Sequence, residues 1–487
     1  MLRETDPQTT IWELLLPEEA KQLPTELTQV DAYLDDERFI APWRALFSTR
    51  LGRPSVPIDT LLRLLYLKHR YQLGYESLCR EVADSISWRR FCRIPLDRPV
   101  PHPTTLVKLV RRAGPEVVEQ LNAALVAKLA AGKLLRARKL RVDTRVVEAD
   151  IDYPTDADLL EHAVRKLGGL VRRIKARGAA SRTRFRDRGR AAGRRMKQLA
   201  RTLRRRSGVA MAEVDRLTGE VAAIARHTLQ QVQVVARNAR GGLARRPGDG
   251  RLGRLVGELQ ETIAATQRLL AQTDQRLAGD RVIPDRLVSL ADPDARPIRK
   301  GKPGRPTEFG YTLLLAEEER GFVCDHQLQR GNPPDAPQLV PAVQRVIGVT
   351  GRPPGTVVGD RGFGTAANDR AMEALGVKRV GLQRTGTPGK ARLAVERTRW
   401  FRRLRNWRVG IEARISHLKR GFGLRRTRLR RLPGARTWVE LGIFAYNLQR
   451  MTVVAAGWSS RGPATSQAFH PSGMKRPAAH LPNFRGK

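Results

Sequence analysis

A net charge of +43 constrains this chain more than any other feature of it. Its 91 lysines and arginines outnumber 48 acids, and a compact state carrying such an excess repels itself unless a polyanion offsets it. The excess is also concentrated: residues 161–210 hold 18 basic residues and only two acids, Glu161 and Asp187. Hydrophobic residues still make up 41% of the 487, enough to bury cores over most of the length and to exclude wholesale disorder. That length suggests about three domains. No run reaches the roughly 18–20 apolar residues of a transmembrane helix. The opening MLRETDPQTT lacks the basic-then-apolar layout of a signal peptide. The expected partner is therefore nucleic acid, met inside the cell, with no membrane involved.

Cys79, Cys92 and Cys324 form no CxxC pair, and the eight histidines show no HxxxH or HExxH spacing. Disulfide scaffolds, zinc fingers and histidine-held metals are thereby set aside. A working metal would have to sit on carboxylates, which favours a hard ion such as Mg2+ or Mn2+.

Residues 1–54 are weakly periodic and are expected to be an N-terminal arm. Helical patterns follow in LLRLLYLKHRY, YESLCREVADSI and TTLVKLVRRAG. The last has Thr104 and Thr105 as possible caps and places Lys108, Arg111 and Arg112 on one face. Residues 55–135 are therefore expected to be a helical DNA-binding domain, the plainer alternative being a small helical domain with a charged outer face. KLRVDTRVV, at 139–147, reads as a strand. Within 155–299, Val214, Leu217, Val221, Ile224 and Val232 recur at helical spacing, as do Leu252, Leu255, Leu259, Ile263 and Leu270, with RGGLARRPGDG between. The pattern predicts an antiparallel, coiled-coil-like hairpin with a basic arm, or simply a spacer with a solvated face. After a linker, RPIRKGKPGRPTEFG, residues 311–328 read as a β-hairpin turning at EEERG. Helices and strands then alternate (helix in DAPQLVPAVQRVI, strand TVVGD, helix TAANDRAMEAL, strand VKRVGL), closing with a helix from about Arg402 to Lys419. This is an α/β pattern with mixed strand directions. Residues 451–487, rich in Pro, Gly, Ser and Arg beyond Trp458, are expected to be a disordered tail.

Three acids stand out. Asp143 lies inside a strand between Arg141 and Arg145, where an unpaired charge is costly. Asp360 closes the apolar run TVVGD just before a glycine turn, at the end of a strand where open α/β sheets bind ligands. Glu412 is the lone carboxylate between Glu396 and Glu440. On its helix Leu404, Trp407, Ile411, Ile415 and Leu418 form an apolar stripe, with Arg405, Arg408, Glu412, Ser416 and Lys419 beside it. Carboxylates from separate parts of a fold can hold two metal ions for phosphodiester chemistry, with basic side chains gripping the backbone. Spacing alone leaves plainer roles open: Asp143 and Glu412 paired with Arg141, Arg145 or Arg408, and Asp360 shaping a turn. Glu148, Asp150, Asp152, Glu308 and Asp325 stay in contention on the same ground.

From Arg141 to Arg450 the chain resembles the DDE transposases of bacterial insertion sequences, in particular the ISNCY-type group. Asp143 in LRVDTRVVEADIDYPTD resembles the first acid of that triad, Asp360 in VVGDRGFGT the second, and Glu412 in WRVGIEARISHLKRGFGLRRTRLR the third. Arg408, Glu412 and Lys419 stand at the spacings of the family's Tyr–Arg–Glu–Lys signature, while Arg405 occupies the tyrosine position. RPIRKGK…EFGYTLLL, QRGNPPDAPQLVPAV and GRPSVPIDTLLRLLYL are also similar to family segments.

The resemblance implies an RNase H-like mixed-sheet catalytic domain made from 136–154 and 300–450, interrupted by the basic helical insertion 155–299. The interval from Asp360 to Glu412 is too short for the extra β-domain of some relatives. It implies that Asp143, Asp360 and Glu412 hold Mg2+ or Mn2+, two ions, and that the element ends are cleaved before the 3′-hydroxyl is joined to target DNA. Arg405, Arg408, Lys419, Arg420, Lys108, Arg111 and Arg112 are the expected DNA contacts. The expected partners are double-stranded DNA, at element ends and target, and further copies of the chain in a homodimer or larger assembly. The expected location is the bacterial cytoplasm, on the nucleoid. Competing expectations are a non-catalytic DNA-binding relative and an RNase H-like structure-selective nuclease.

Overall fold

The computed structural model describes residues 15–48, 52, 54–204, 208–246, 248–280, 282–302 and 305–459. Residues 1–14 of the expected arm and 460–487 of the expected tail lie outside them. Among the described residues six strands form one mixed sheet: β1 (Lys139–Glu148), β2 (Arg296–Lys302), β3 (Arg305–Glu318), β4 (Val323–Arg330), β5 (Thr356–Gly359) and β6 (Arg379–Leu382). Their order is β2-β3-β1-β5-β6, and β4 also pairs with β3. β2 pairs with β3 as far as Gly310 and β4 from Tyr311 onward, so the two share one edge of β3 end to end. β1 is central, antiparallel to β3 and parallel to β5. It is buried on both faces, with Leu140, Val142, Val146 and Val147 in the core and the polar Arg141, Asp143 and Thr144 buried beside them. The hairpin expected at 311–328 is β3–β4. The expected linker is itself structured: its residues enter β2 and the start of β3.

The N-terminal half supplies α1 (Glu18–Lys21), α2 (Thr25–Leu34), α3 (Glu37–Arg44), α4 (Ile58–Arg70), α5 (Tyr75–Asp84), α6 (Ile86–Phe91) and α7 (Pro103–Ala131). The first three correct the expectation of an arm. Leu27, Val30, Leu34, Phe39 and Trp43 are buried in the same core as the sheet, and Arg63 donates to Asp31 at 2.6 Å. α7 opens at Pro103 with His102, rather than a threonine, as its side-chain cap, and it breaks at Gly114, whose φ of 67° favours glycine.

Between β1 and β2 stand α8 (Asp156–Ala176), α9 (Gly189–Leu203), α10 (Gly208–Ala244) and α11 (Gly250–Leu277). The hairpin is there as α10 and α11, but the basic segment before it is no free arm. α8 buries Leu160, Val164, Leu167, Val171 and Ile174 against the hairpin, and α9 buries Ala192 and Leu199. An apolar stripe outweighs the charge of the other faces. The buried Asp156 clasps the base, accepting from Gln272 at 3.0 Å and Arg286 at 2.8 Å and pairing with Arg276 at 3.0 Å.

The remaining helices are α12 (Leu339–Thr350), α13 (Ala366–Ala374), α14 (Lys390–Arg397), α15 (Arg399–Gly421) and α16 (Arg431–Ser459). α16 is a second correction. The last helix is not the one near 402–419, and residues 451–459, assigned above to the tail, continue it. α16 packs against α7, α4 and β4. Glu440 on it accepts from Asn122 of α7 at 2.7 Å and pairs with His326 of β4 at 2.7 Å.

At the β3–β4 turn the buried Glu318 accepts from the backbone N–H of Arg320 at 2.7 Å, Phe322 at 3.3 Å and Arg136 at 3.4 Å. Burial, reinforced by Glu319, lifts its carboxyl from 4.5 to about 7, against the pull of those N–H groups. A raised carboxyl stabilises the fold below its unfolded value, and that stability is lost as pH rises toward the folded value. Wild type is therefore expected to lose melting temperature between pH 4.5 and about pH 7 relative to Glu318→Gln, measured by thermal melts across that range. Parallel curves would show that Glu318 does not titrate in this window.

Candidate active site

Alternate residues of β1 point to one face, where α15 lies. Arg141 donates to both carboxylate oxygens of Glu317, at 2.8 and 2.9 Å, and to the Trp407 carbonyl at 2.9 Å. Arg414 on α15 donates to the same Glu317 at 2.8 Å. Glu317 is almost fully buried, so two guanidiniums and one carboxylate join β1, β3 and α15 at a single point. The helix can come this close because Gly410 faces Arg141: a Cβ there would collide with the guanidinium. Gly381 on β6 likewise lets Leu404 pack against the sheet. The stripe of Leu404, Ile411, Ile415 and Leu418 is buried as expected, with Trp407 half-buried under the Arg141 guanidinium, 4.9 Å from the ring centre.

Two residues along β1, Asp143 is 2% exposed. Its Oδ1 accepts from the Thr144 N–H at 2.8 Å, while its Oδ2 is buried without a hydrogen-bond partner. Arg145 Nη2 lies 3.1 Å from that oxygen and Arg408 Nη1 3.9 Å, both at ion-pair range. The same guanidiniums reach Glu412, at 3.5 Å from Arg145 and 3.8 Å from Arg408. Asp143 and Glu412 are thus joined through two arginines, and Glu412 is 52% exposed. Asp360 follows directly after the Val142–Gly359 pair on the adjacent parallel strand. It is exposed, and one oxygen caps the short 3-10 turn Arg361–Phe363 through the Arg361 N–H at 2.7 Å. Burial raises the Asp143 carboxyl above its ordinary range. Arg145 pulls it down, the charge of Asp360 pushes it up, and the Thr144 N–H and Arg408 pull it down.

Among the described residues no three Asp, Glu, His or Cys side chains converge on one metal position. Arg145 and Arg408 lie between Asp143 and Glu412 instead. The donor set nevertheless suits a hard cation: a buried carboxylate oxygen that takes no hydrogen bond and meets only guanidinium charge, near a second carboxylate on the neighbouring strand end.

Three of the competing acids are tied up in ion pairs. Glu148 pairs with Arg426, Asp150 with Arg426 and Arg428, and Asp325 with Arg345. Sequence reasoning missed Glu317 and Asp335. Asp335 accepts from the Thr144 hydroxyl at 2.9 Å on the other face of β1 and packs against Gly362, tying the loop after β4 to the turn that holds Asp360. Only the β1–β3 register, which sets Arg141 opposite Glu317, signals the first. The basic residues divide. Arg405 and Arg420 are exposed on α15, Arg420 donating to Ser416 at 2.6 Å, and Lys419 is half-buried there. Lys108, Arg111 and Arg112 are exposed on α7, where Arg112 stacks over Phe47 and Arg111 shares a groove with Asp150, Arg428 and Arg430.

Comparison with known families finds two matches. A transposase domain, DUF772, matches residues 16–112, and the transposase DDE domain matches residues 282–448. The chain carries the two domains of an insertion-sequence DDE transposase. The DDE match takes in Asp360 and Glu412 but begins after the bundle. β1 of this transposase, with Asp143, lies outside the match and is brought between β3 and β5 by the sheet. An uncharacterized protein, ORF8 in the nfe locus of Rhizobium meliloti, is 28% identical over 155 residues, which is 28% of this chain and 71% of that protein. No solved structure matches the chain.

Glu317→Gln leaves Arg141 and Arg414 without their shared anion. It is expected to cost the transposase about 3–5 kcal/mol, read from urea denaturation, as for other buried pairs broken on one side. A loss below about 1 kcal/mol would mean that the α15 packing does not depend on this triad.

Proposed function

We propose that this transposase cleaves the ends of its element and joins the freed 3′-hydroxyl to target DNA, with Asp143, Asp360 and Glu412 as the metal-holding acids. One observation carries the assignment: Asp143, buried within β1 with no hydrogen bond at Oδ2, feels the charge of Asp360 at the end of the adjacent strand. A fold that only needed structure would have little use for that like-charge contact. DDE transposases use divalent metals; here Mg2+ or Mn2+, two ions, would activate the attacking oxygen and stabilise the leaving one. Asp143 and Asp360 offer carboxylate oxygens on the sheet, and Glu412 offers its own from α15. Arg145 and Arg408, which hold Glu412 toward Asp143, are placed to receive the phosphate charge of bound DNA.

The sheet order, an antiparallel β4-β3-β1 set continued by parallel β5 and β6, supports an RNase H-like catalytic domain built from 136–154 and 300–450. The Arg408, Glu412 and Lys419 spacing supports the ISNCY-type group. Arg405, Arg408, Lys419 and Arg420 would hold DNA on α15, with Lys108, Arg111 and Arg112 contacting it from the helical domain 55–135. A homodimer or larger assembly on paired DNA ends, in the cytoplasm and on the nucleoid, completes the proposal. No helix among the described residues is long and apolar enough to cross a membrane.

Asp360→Asn and Glu412→Gln are expected to abolish cleavage of the flanking element ends in Mg2+ or Mn2+ while duplex affinity changes little. Parallel loss of cleavage and binding would point to folding roles. The arginine pairs of Asp143 and Glu412 favour, as a second reading, a non-catalytic DNA-binding relative; it predicts tight binding and no cleavage by wild type in either metal.

Asp143 gives a test independent of turnover. Its carboxyl is raised, so the stability it lends is present below 3.8 and lost as pH climbs through the folded value. At neutral pH its charge therefore costs stability. Asp143→Asn is expected to raise the metal-free melting temperature and to shrink the further rise that Mn2+ gives wild type. An equal Mn2+ response in both proteins would place the metal elsewhere.

A further inference from the structure

The bundle between β1 and β2 is studded with charge, and several of its helices pair their arginines with acids of the same bundle. Arg216 pairs with Glu213, Arg226 with Asp274, and Arg276 with Asp215. α9 departs from this pattern. Arg190, Arg194, Lys197, Arg201 and Arg204 recur at intervals of four, three, four and three residues, which puts them on one face of the helix. All five are exposed, and none has an ion pair among the described residues. The opposite face is fixed: Ala192, Leu199 and Thr202 are buried, and Arg195, off the stripe, is paired with Glu220. The stripe cannot turn inward without exposing that face.

Like charges at this spacing repel along a helix. A line of cations about 20 Å long, with no ion pair along it, fits a linear polyanion. The segment Gly189–Leu203 contains no aromatic residue, so it has nothing to stack on bases. Its chemistry suits phosphates and carries no sequence information.

We infer that the stripe of α9 is a second, sequence-independent contact to the duplex DNA backbone, and that the bundle is a DNA-gripping module rather than a spacer. The inference rests on the proposed action on DNA, and it extends the contact beyond α15 and α7.

The test uses the full chain and a fluorescent duplex of random sequence. Wild type is compared with a variant carrying Arg190→Gln, Arg194→Gln, Lys197→Gln, Arg201→Gln and Arg204→Gln. Each phosphate contact adds about 0.9 to the slope of log affinity against log salt, so the variant's slope is expected to fall by about 4–5. Over a fourfold rise in salt, wild type should lose on the order of 500-fold more affinity than the variant. The variant's melting temperature is expected to hold or rise, since repulsion has been removed. An unchanged slope in a folded variant overturns the inference, as does loss of binding to phosphatidylserine vesicles with DNA binding intact. If wild type never cleaves element ends, the functional proposal fails while the slope comparison still decides this one. If cleavage stands and the slope does not move, only the stripe is refuted.

Discussion

The placement of Glu412 depends on a buried ionic triad. Arg141, Glu317 and Arg414 bring together the central strand, its antiparallel neighbour and the helix that carries the third acid. Such a cluster is expensive to desolvate and contributes little net stability compared with an apolar substitute. What it contributes is geometry. A hydrophobic contact would let α15 slide along β1, whereas a bidentate fork, with the Trp407 carbonyl on its remaining arm, fixes one register. Alternate residues of β1 then meet successive turns of α15: Arg141 at Trp407 and Gly410, Asp143 at Arg408, Arg145 at Glu412. The acids share a neighbourhood because the arginine two residues before Asp143 fixes that register.

Much of this was legible in the sequence, and the illegible parts have physical reasons. The β3–β4 hairpin, the apolar stripe of α15 and the placement of Asp143 within a strand and Asp360 at a strand end all follow local periodicity or turn chemistry, which one segment can express alone. α16 does not. Val439, Leu441, Ile443, Phe444, Ala445 and Leu448 are buried on several sides of the helix, so it shows no single stripe. α2 and α3 are short, and their apolar residues make sense only against the partners they meet. Glu317 was indistinguishable from other strand acids until the register set it opposite Arg141.

The candidate site shows the same division. Asp143, Asp360 and Glu412 were visible as acids in unusual company, and the fold brings Asp143 beside Asp360 and links it to Glu412. The sharing of Arg145 and Arg408 between Asp143 and Glu412 was not visible, because it arises between a strand and a helix far apart in the chain. The packing of the basic segment 161–210 was hidden in a related way. Its composition is that of a solvated arm, yet Leu160, Val164, Leu167 and Val171 are enough to anchor it.

Asp156 sits where the bundle begins and takes donors from where it ends. Its position makes about 150 residues between β1 and β2 behave as a short clasp, because a flexible loop's closure cost grows only with the logarithm of its length and a folded one avoids most of that cost. The sheet therefore registers only where the two stems stand, not what is hung between them. A lineage can lengthen, shorten or exchange this appendage without disturbing the chemistry beneath it, so long as the stems stay clasped.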